Sequence, residues 1–211
     1  MAAFGADPVV FAKLDPSTTA QGYLARLLIN ETSFPGEAHY VSEDDTKAAM
    51  LAILWVLHSR IHYIPAGYTQ QQVAAIRSDD IIDIITGNGD KRICEGFYRR
   101  NGRPATAPRV EKRINYLLKI ANTGGKPGRF ATLLNHAQGL ASAYIQEGIQ
   151  GADRFAGINY ISPYPVTGRA YSWMTDQDCY HPGGSFVKIP NDKQGTLSGN
   201  RFFSLRKDPE L

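Results

Sequence analysis

The sequence predicts a mainly helical fold that ends in a small antiparallel β and loop region. Through the first three quarters of the chain, apolar residues recur at helical spacing. One segment, Thr46 to about Ile61, is apolar on nearly every face, as expected of a helix at the centre of a helical domain. From Phe155 onward the character changes: six glycines and five prolines separate short alternating segments.

In chain order, Pro16 with Ser17 or Thr18 supplies a start signal, and Tyr23, Leu24, Leu27 and Leu28 continue a first helix to about Glu31. A turn-rich stretch from Ser33 to Asp45 leads to the central helix. Thr69 to Arg77 and Asp79 to Thr86 read as short helices, the second closed by Gly87, Asn88 and Gly89. The basic stretch from Arg99 to Pro108, with Gly102 and Pro104, reads as a loop. Pro108 then opens a helix to about Ala121, with Val110, Ile114, Leu117 and Leu118 on one face. After a glycine-rich connector, a long helix is predicted from about Arg129 to Glu147, ended by Gly148 or Gly151. Strand-like segments follow at Ile158 to Ser162, Arg169 to Met174, Ser185 to Ile189 and Arg201 to Leu205. The resulting organisation is an N-terminal arm (1–16) and a single domain (17–211), within which 152–211 forms a Gly, Pro and aromatic-rich subdomain. Its nine aromatics need a surface to pack on.

At 211 residues the chain suits one domain with a sizeable core. With 43% hydrophobic and 20% charged residues it lies away from disordered and disulfide-dense classes. A net charge of +3 is too mild for a nucleic-acid footprint. The dense basic stretch from Arg99 to Arg113 reads as a solvated face, or as a surface for an anionic polymer or an acidic protein. The longest apolar run, Ala48 to Leu57, is ten residues, about half of what a bilayer requires, so no membrane span is expected. The start, Met1 to Phe11, carries no visible secretory signal. Cys94 and Cys179 form no C-x-x-C pair; a single disulfide and two buried thiols are both open.

The most informative titratable residue is Glu31. It follows Leu27 by four positions and Leu28 by three, which places its carboxyl on the apolar stripe of the first helix, facing the core or a cleft. A carboxyl in apolar surroundings tends to keep its proton near neutral pH, the state a general acid needs; a solvated helix-end glutamate is the alternative. Gly124-Gly125-Lys126 lacks the earlier glycine of a phosphate loop. Asp176, Asp178, Cys179 and His181 match no metal-ligand spacing, and no metal or cofactor is predicted. Cys94 with His136 or His181 would suit a thiol amidase. Tyr160, Tyr164, Tyr171 and Trp173 suit stacking on sugar rings, or packing of the subdomain.

Taken in order, these pieces resemble the spore-cortex-lytic, or cell-wall hydrolase, family of peptidoglycan-cleaving enzymes. The counterparts of its first-helix glutamate, loop glutamate and Leu-Asn-Arg helix end are Glu31, Glu37 and Leu57-His58-Ser59-Arg60. Ile81 to Ile85 followed by Cys94-Glu95-Gly96-Phe97 resembles its apolar helix and Gln-Phe element. Gly148, Gly151, Asp153 and Gly157-Ile158-Asn159-Tyr160-Ile161-Ser162-Pro163 are similar to its helix-ending glycine, its aspartate and its Gly-Ala-x-x-Phe-x-x-Pro stretch, and Gly199-Asn200-Arg201-Phe202-Phe203 to its Gly-Asn-His-x-Phe ending. The family's Gly-Glu-Ala-Arg-Gly-Glu signature is reduced here to Asn30-Glu31-Thr32 plus Gly36-Glu37-Ala38. Glu31-Thr32 is also similar to the Glu-Ser of lysozyme-like lytic transglycosylases.

The resemblance implies a lysozyme-like α+β fold and cleavage of the glycan between N-acetylmuramic acid and N-acetylglucosamine. Glutamate 31 would be the acid and base of a lytic transglycosylase, with Tyr160, Tyr164, Asn159 and Ser162 contacting sugar. Glu37 as a second carboxylate keeps a hydrolytic muramidase open. A Cys94-dependent amidase and a non-catalytic wall-binding module are the alternatives. The implied partners are peptidoglycan strands and an acidic immunity or inhibitor protein. A leaderless enzyme would reach the periplasm by secretion-system, phage or holin delivery, as an antibacterial effector or a lysin.

Overall fold

The computed structural model describes residues 11–87, 93–124, 128–157, 170–175, 186–188 and 196–205. It is mainly α with two small antiparallel sheets. Helix α1 (Ala20–Asn30) is capped by Thr19, one or two residues later than the start signal suggested, because the Thr19 hydroxyl accepts the Gly22 N–H. Helix α2 (Glu43–His62) begins three residues before the predicted Thr46: Ser42 caps it, and Glu43, Asp44 and Asp45 occupy its positive end. The short helices are α3 (Gln70–Ala74), held by a Thr69/Gln72 capping box, and α4 (Ile81–Thr86), capped by Asp80.

The basic stretch predicted as a loop is a β-hairpin instead. Strand β1 (Phe97–Arg100) pairs with β2 (Arg103–Thr106), closed by Asn101 and Gly102 at φ of 52° and 74°. Two successive positive φ angles make the turn whose twist matches paired strands, and Asn-Gly is its preferred dipeptide. The Tyr23 hydroxyl, 3.2 Å from the carbonyls of both Tyr98 and Ala105, ties this hairpin to α1.

Helix α5 (Pro108–Ala121) starts on Pro108 as predicted. The helix predicted from Arg129 ends at Gly148, whose φ of 67° and ψ of −157° are outside helical space, and a second helical segment, not foreseen, follows to Ala156; the two together form α6 (Arg129–Ala156). The break reverses the chain. A Cβ on Gly139 would lie 2.3 Å from the Phe155 ring, although sixteen residues of straight helix would separate the two by about 24 Å. The returning turns are anchored where the Trp55 indole N–H donates to Asp153 at 2.8 Å.

Helices α1 and α2 both pack on α6, and one hydrophobic cluster joins Leu24, Leu28, Ile53, Leu57, Leu134, Leu140 and Ala156. That cluster also takes in Trp173 and Phe202 of the tail. The tail's strands are β3 (Ser172–Thr175), β4 (Phe186–Lys188) and β5 (Asn200–Leu205), in the antiparallel order β3-β5-β4. Three of the predicted strand segments are therefore real strands; Ile158 to Ser162 lies outside the described residues. In the arm, the Asn122 side chain pairs with both backbone groups of Ala12, at 2.9 and 3.0 Å. No described helix is long and apolar enough to cross a membrane.

Candidate functional site

Glu31 is the C-cap of α1, its N–H donating to Leu27 O at 3.0 Å. A helix end leaves its last carbonyls without intrahelical partners, and here side chains from distant elements supply them. The Arg113 guanidinium of α5 donates to the carbonyls of Ile29 (2.6 Å) and Thr32 (2.9 Å), and Asn200 Nδ2 donates to that of Glu31 (2.6 Å). The backbone around Glu31 is thus clamped from two sides.

Its half-buried carboxyl accepts the Asn30 Nδ2–H on Oε1 at 3.0 Å and the Trp173 Nε1–H on Oε2 at 3.1 Å. Trp173 reaches it because α2 and the tail are joined: buried Arg60 donates from Nε to Tyr171 O at 2.6 Å, just before β3. The register pairs Trp173 with Phe202 and Thr175 with Asn200, so period-two alternation sets Trp173, Phe202 and Asn200 on one face of the sheet. The turn before β5 docks on the loop after α1. Ser33 N–H donates to the Ser198 hydroxyl at 2.6 Å, and a Cβ on Gly199 would lie 2.7 Å from His39. Only glycine allows that approach, which is a physical reason for the Gly199-Asn200 pair.

Glu31 opens into a cleft of about 670 Å³, within the roughly 300–1,000 Å³ usual for ligand sites. Trp173, Met174 and Asn200 form one wall, and Arg109, Arg113 and the segment Ile93-Cys94-Glu95 another. At the rim, the exposed Arg109 pairs with Glu95 at 2.7 Å.

Cys94 is a buried free thiol that lines the cleft together with Glu31. Burial, then the adjacent Glu31, pushes it well above the ordinary thiol range, with Arg60 acting in the opposite sense. It keeps its proton, the opposite of what a thiolate nucleophile needs, and among the described residues the cleft lining includes no histidine. His136 lies on α6 against the Phe155 ring, 5.3 Å between centroids.

Glu37 is engaged elsewhere. Both its oxygens receive the Arg113 fork, at 2.6 and 3.0 Å, and Oε2 also accepts the Phe34 N–H at 2.8 Å. It is not among the residues lining the cleft. Tyr160, Tyr164, Asn159 and Ser162 lie outside the described residues, as do Asp176, Asp178, Cys179 and His181. Asn30, Trp173 and Asn200 were not assigned to the acid from sequence. Asn200 had a signal in its Gly-Asn pair, whereas Trp173 was one aromatic among several.

Comparison with protein-family models, with curated proteins and with solved structures finds no match to this chain.

Proposed function

We propose that this chain cleaves the glycan strand of peptidoglycan, between N-acetylmuramic acid and N-acetylglucosamine, as a lytic transglycosylase with Glu31 as acid and then base. The observation that carries the reading is one carboxyl fixed at a helix end, inside a ligand-sized cleft, between two N–H donors. On this reading the helical body and the tail sheet are the two walls of a lysozyme-like groove.

In its acid form Glu31 gives its proton to the glycosidic oxygen, and the bond from that oxygen to the muramic C1 breaks, leaving an oxocarbenium-like sugar. The carboxylate so formed gains charge against the Trp173 and Asn30 N–H groups, which are already in place and strengthen as the charge develops. It then takes the proton of the muramic C6 hydroxyl as that oxygen bonds to C1, closing a 1,6-anhydro ring and returning Glu31 to the acid. No water is consumed, so a second carboxylate is not required. The engagement of both Glu37 oxygens by Arg113 favours this route over a two-carboxylate hydrolase, and the protonated Cys94 favours it over a thiol amidase. The basic excess fits an acidic immunity protein, as a delivered antibacterial effector would require.

Purified peptidoglycan digested with the wild-type chain should release anhydro-muropeptides by mass spectrometry. Glu31→Gln should lower their rate by about 10²–10⁴-fold, the contribution of a positioned general acid. Equal activity in the variant refutes the assignment, reducing ends in place of anhydro ends indicate hydrolysis, and binding without soluble fragments indicates a wall-binding module.

A further inference from the structure

We propose that His58 and His62 form a two-histidine site for a borderline transition-metal ion, Zn²⁺ or Cu²⁺, in a second hollow separate from the Glu31 cleft. The hollow measures about 330 Å³ and shares no lining residue with that cleft. The last two turns of α2 supply the pair: four positions apart, the imidazoles stand on one helix face with ring centroids 4.3 Å apart. Two imidazoles four residues apart on a helix are the arrangement that grips one ion in helical zinc motifs.

Two further features suit a metal rather than a packing role. His58 Nδ1 lies 3.2 Å from the Tyr144 hydroxyl, and the tautomer with its proton on Nδ1 leaves the Nε2 lone pair for an ion. Metal-binding imidazoles are held in this way through their other nitrogen. Asp79 and Asp80 border the same hollow. Asp80 is committed to the Ile82 N–H at 2.8 Å and to Arg99 at 3.3 Å, which leaves Asp79 to accept from metal-bound water. Among the described residues no third His, Cys, Asp or Glu converges on the pair, so water fills the remaining positions. Imidazole donors prefer Zn²⁺ and Cu²⁺ to Mg²⁺ and Ca²⁺.

Calorimetric titration of the chelator-treated full chain with ZnCl₂ tests the site. His62 is exposed, so His62→Gln should fold normally by circular dichroism while losing one Zn²⁺ equivalent, or weakening it more than about tenfold. Tyr144→Phe should weaken the same equivalent by about tenfold, His39→Gln should leave it unchanged, and MgCl₂ and CaCl₂ should give no heat of binding. Trp55 gives a second readout, its ring centroid lying 5.8 Å from that of His58. In a Trp173→Phe background, CuCl₂ should quench the remaining Trp55 emission, and His62→Gln should abolish the quench. A zinc isotherm unaltered by His62→Gln, or a copper quench that survives it, overturns the proposal.

Discussion

The Glu31 carboxyl is held by neighbours from two separate parts of the chain, Asn30 beside it and Trp173 in the tail sheet, and Cys94 ahead of the hairpin lines the same cleft. Replacing Trp173 by Phe keeps an aromatic ring in the core cluster but removes the N–H that meets Oε2 together with part of the indole. A hydrogen bond to a charged group contributes about 1.5–3 kcal/mol, so Trp173→Phe should lower kcat on peptidoglycan roughly 10- to 100-fold with KM little changed. Glu37 gives the contrasting case. Glu37→Gln leaves an oxygen for Arg113 and the Phe34 N–H, so activity should stay within about tenfold of wild type and stability should fall by at most about 1 kcal/mol, read from a denaturant melt. A loss as deep as that of Glu31→Gln would instead make Glu37 a participant in the chemistry. Sequence spacing was enough to put Glu31 on an apolar stripe. Its partners were not legible, because Trp173 and Asn200 reach it through tertiary packing across 142 and 169 positions.

Among the elements, those with a local physical cause were the ones readable in advance. Pro108 opens α5, the apolar run builds α2, and alternation in the tail gives β3, β4 and β5. The hairpin was also encoded locally, in Asn101-Gly102, but the surrounding arginines and Pro104 masked its alternation. The reversal at Gly148 was readable only as a stop: nothing in the following sequence says that the chain folds back until Phe155 meets the bare backbone of Gly139. A non-glycine residue at φ 67° and ψ −157° is strained by about 1–3 kcal/mol. Gly148→Ala should accordingly lower the melting temperature by several degrees in calorimetry. Nothing lies within 4 Å of the added methyl, so the loss reflects backbone strain rather than a clash.

For the molecule as a whole, groups buried in one state of protonation set the pH range of stability. Burial, aided by Lys47, holds His136 at about 4 against an ordinary 6.5, and His58 behaves alike. The unfolded chain then takes up protons first as the pH falls, so this stability is complete above 6.5 and is lost through 4. Asp45 and Asp153 act in the opposite sense because burial raises them; their contribution is present in acid and lost as the pH climbs past the ordinary carboxylate value of 3.8. On the alkaline side Cys94, Tyr23 and Tyr144 are all raised by burial, so stability declines once the pH passes the unfolded thiol and phenol values of 9.0 and 10.0. The melting temperature should therefore hold a plateau from about pH 7 to 8.5 and fall on both sides. His136→Leu removes one acid-titrating group from the core, and in calorimetric scans between pH 7 and 5 it should flatten the acid limb while leaving the alkaline limb in place. An unchanged acid slope in that variant would show that His136 is already protonated in the folded state, and that its burial does not hold it neutral.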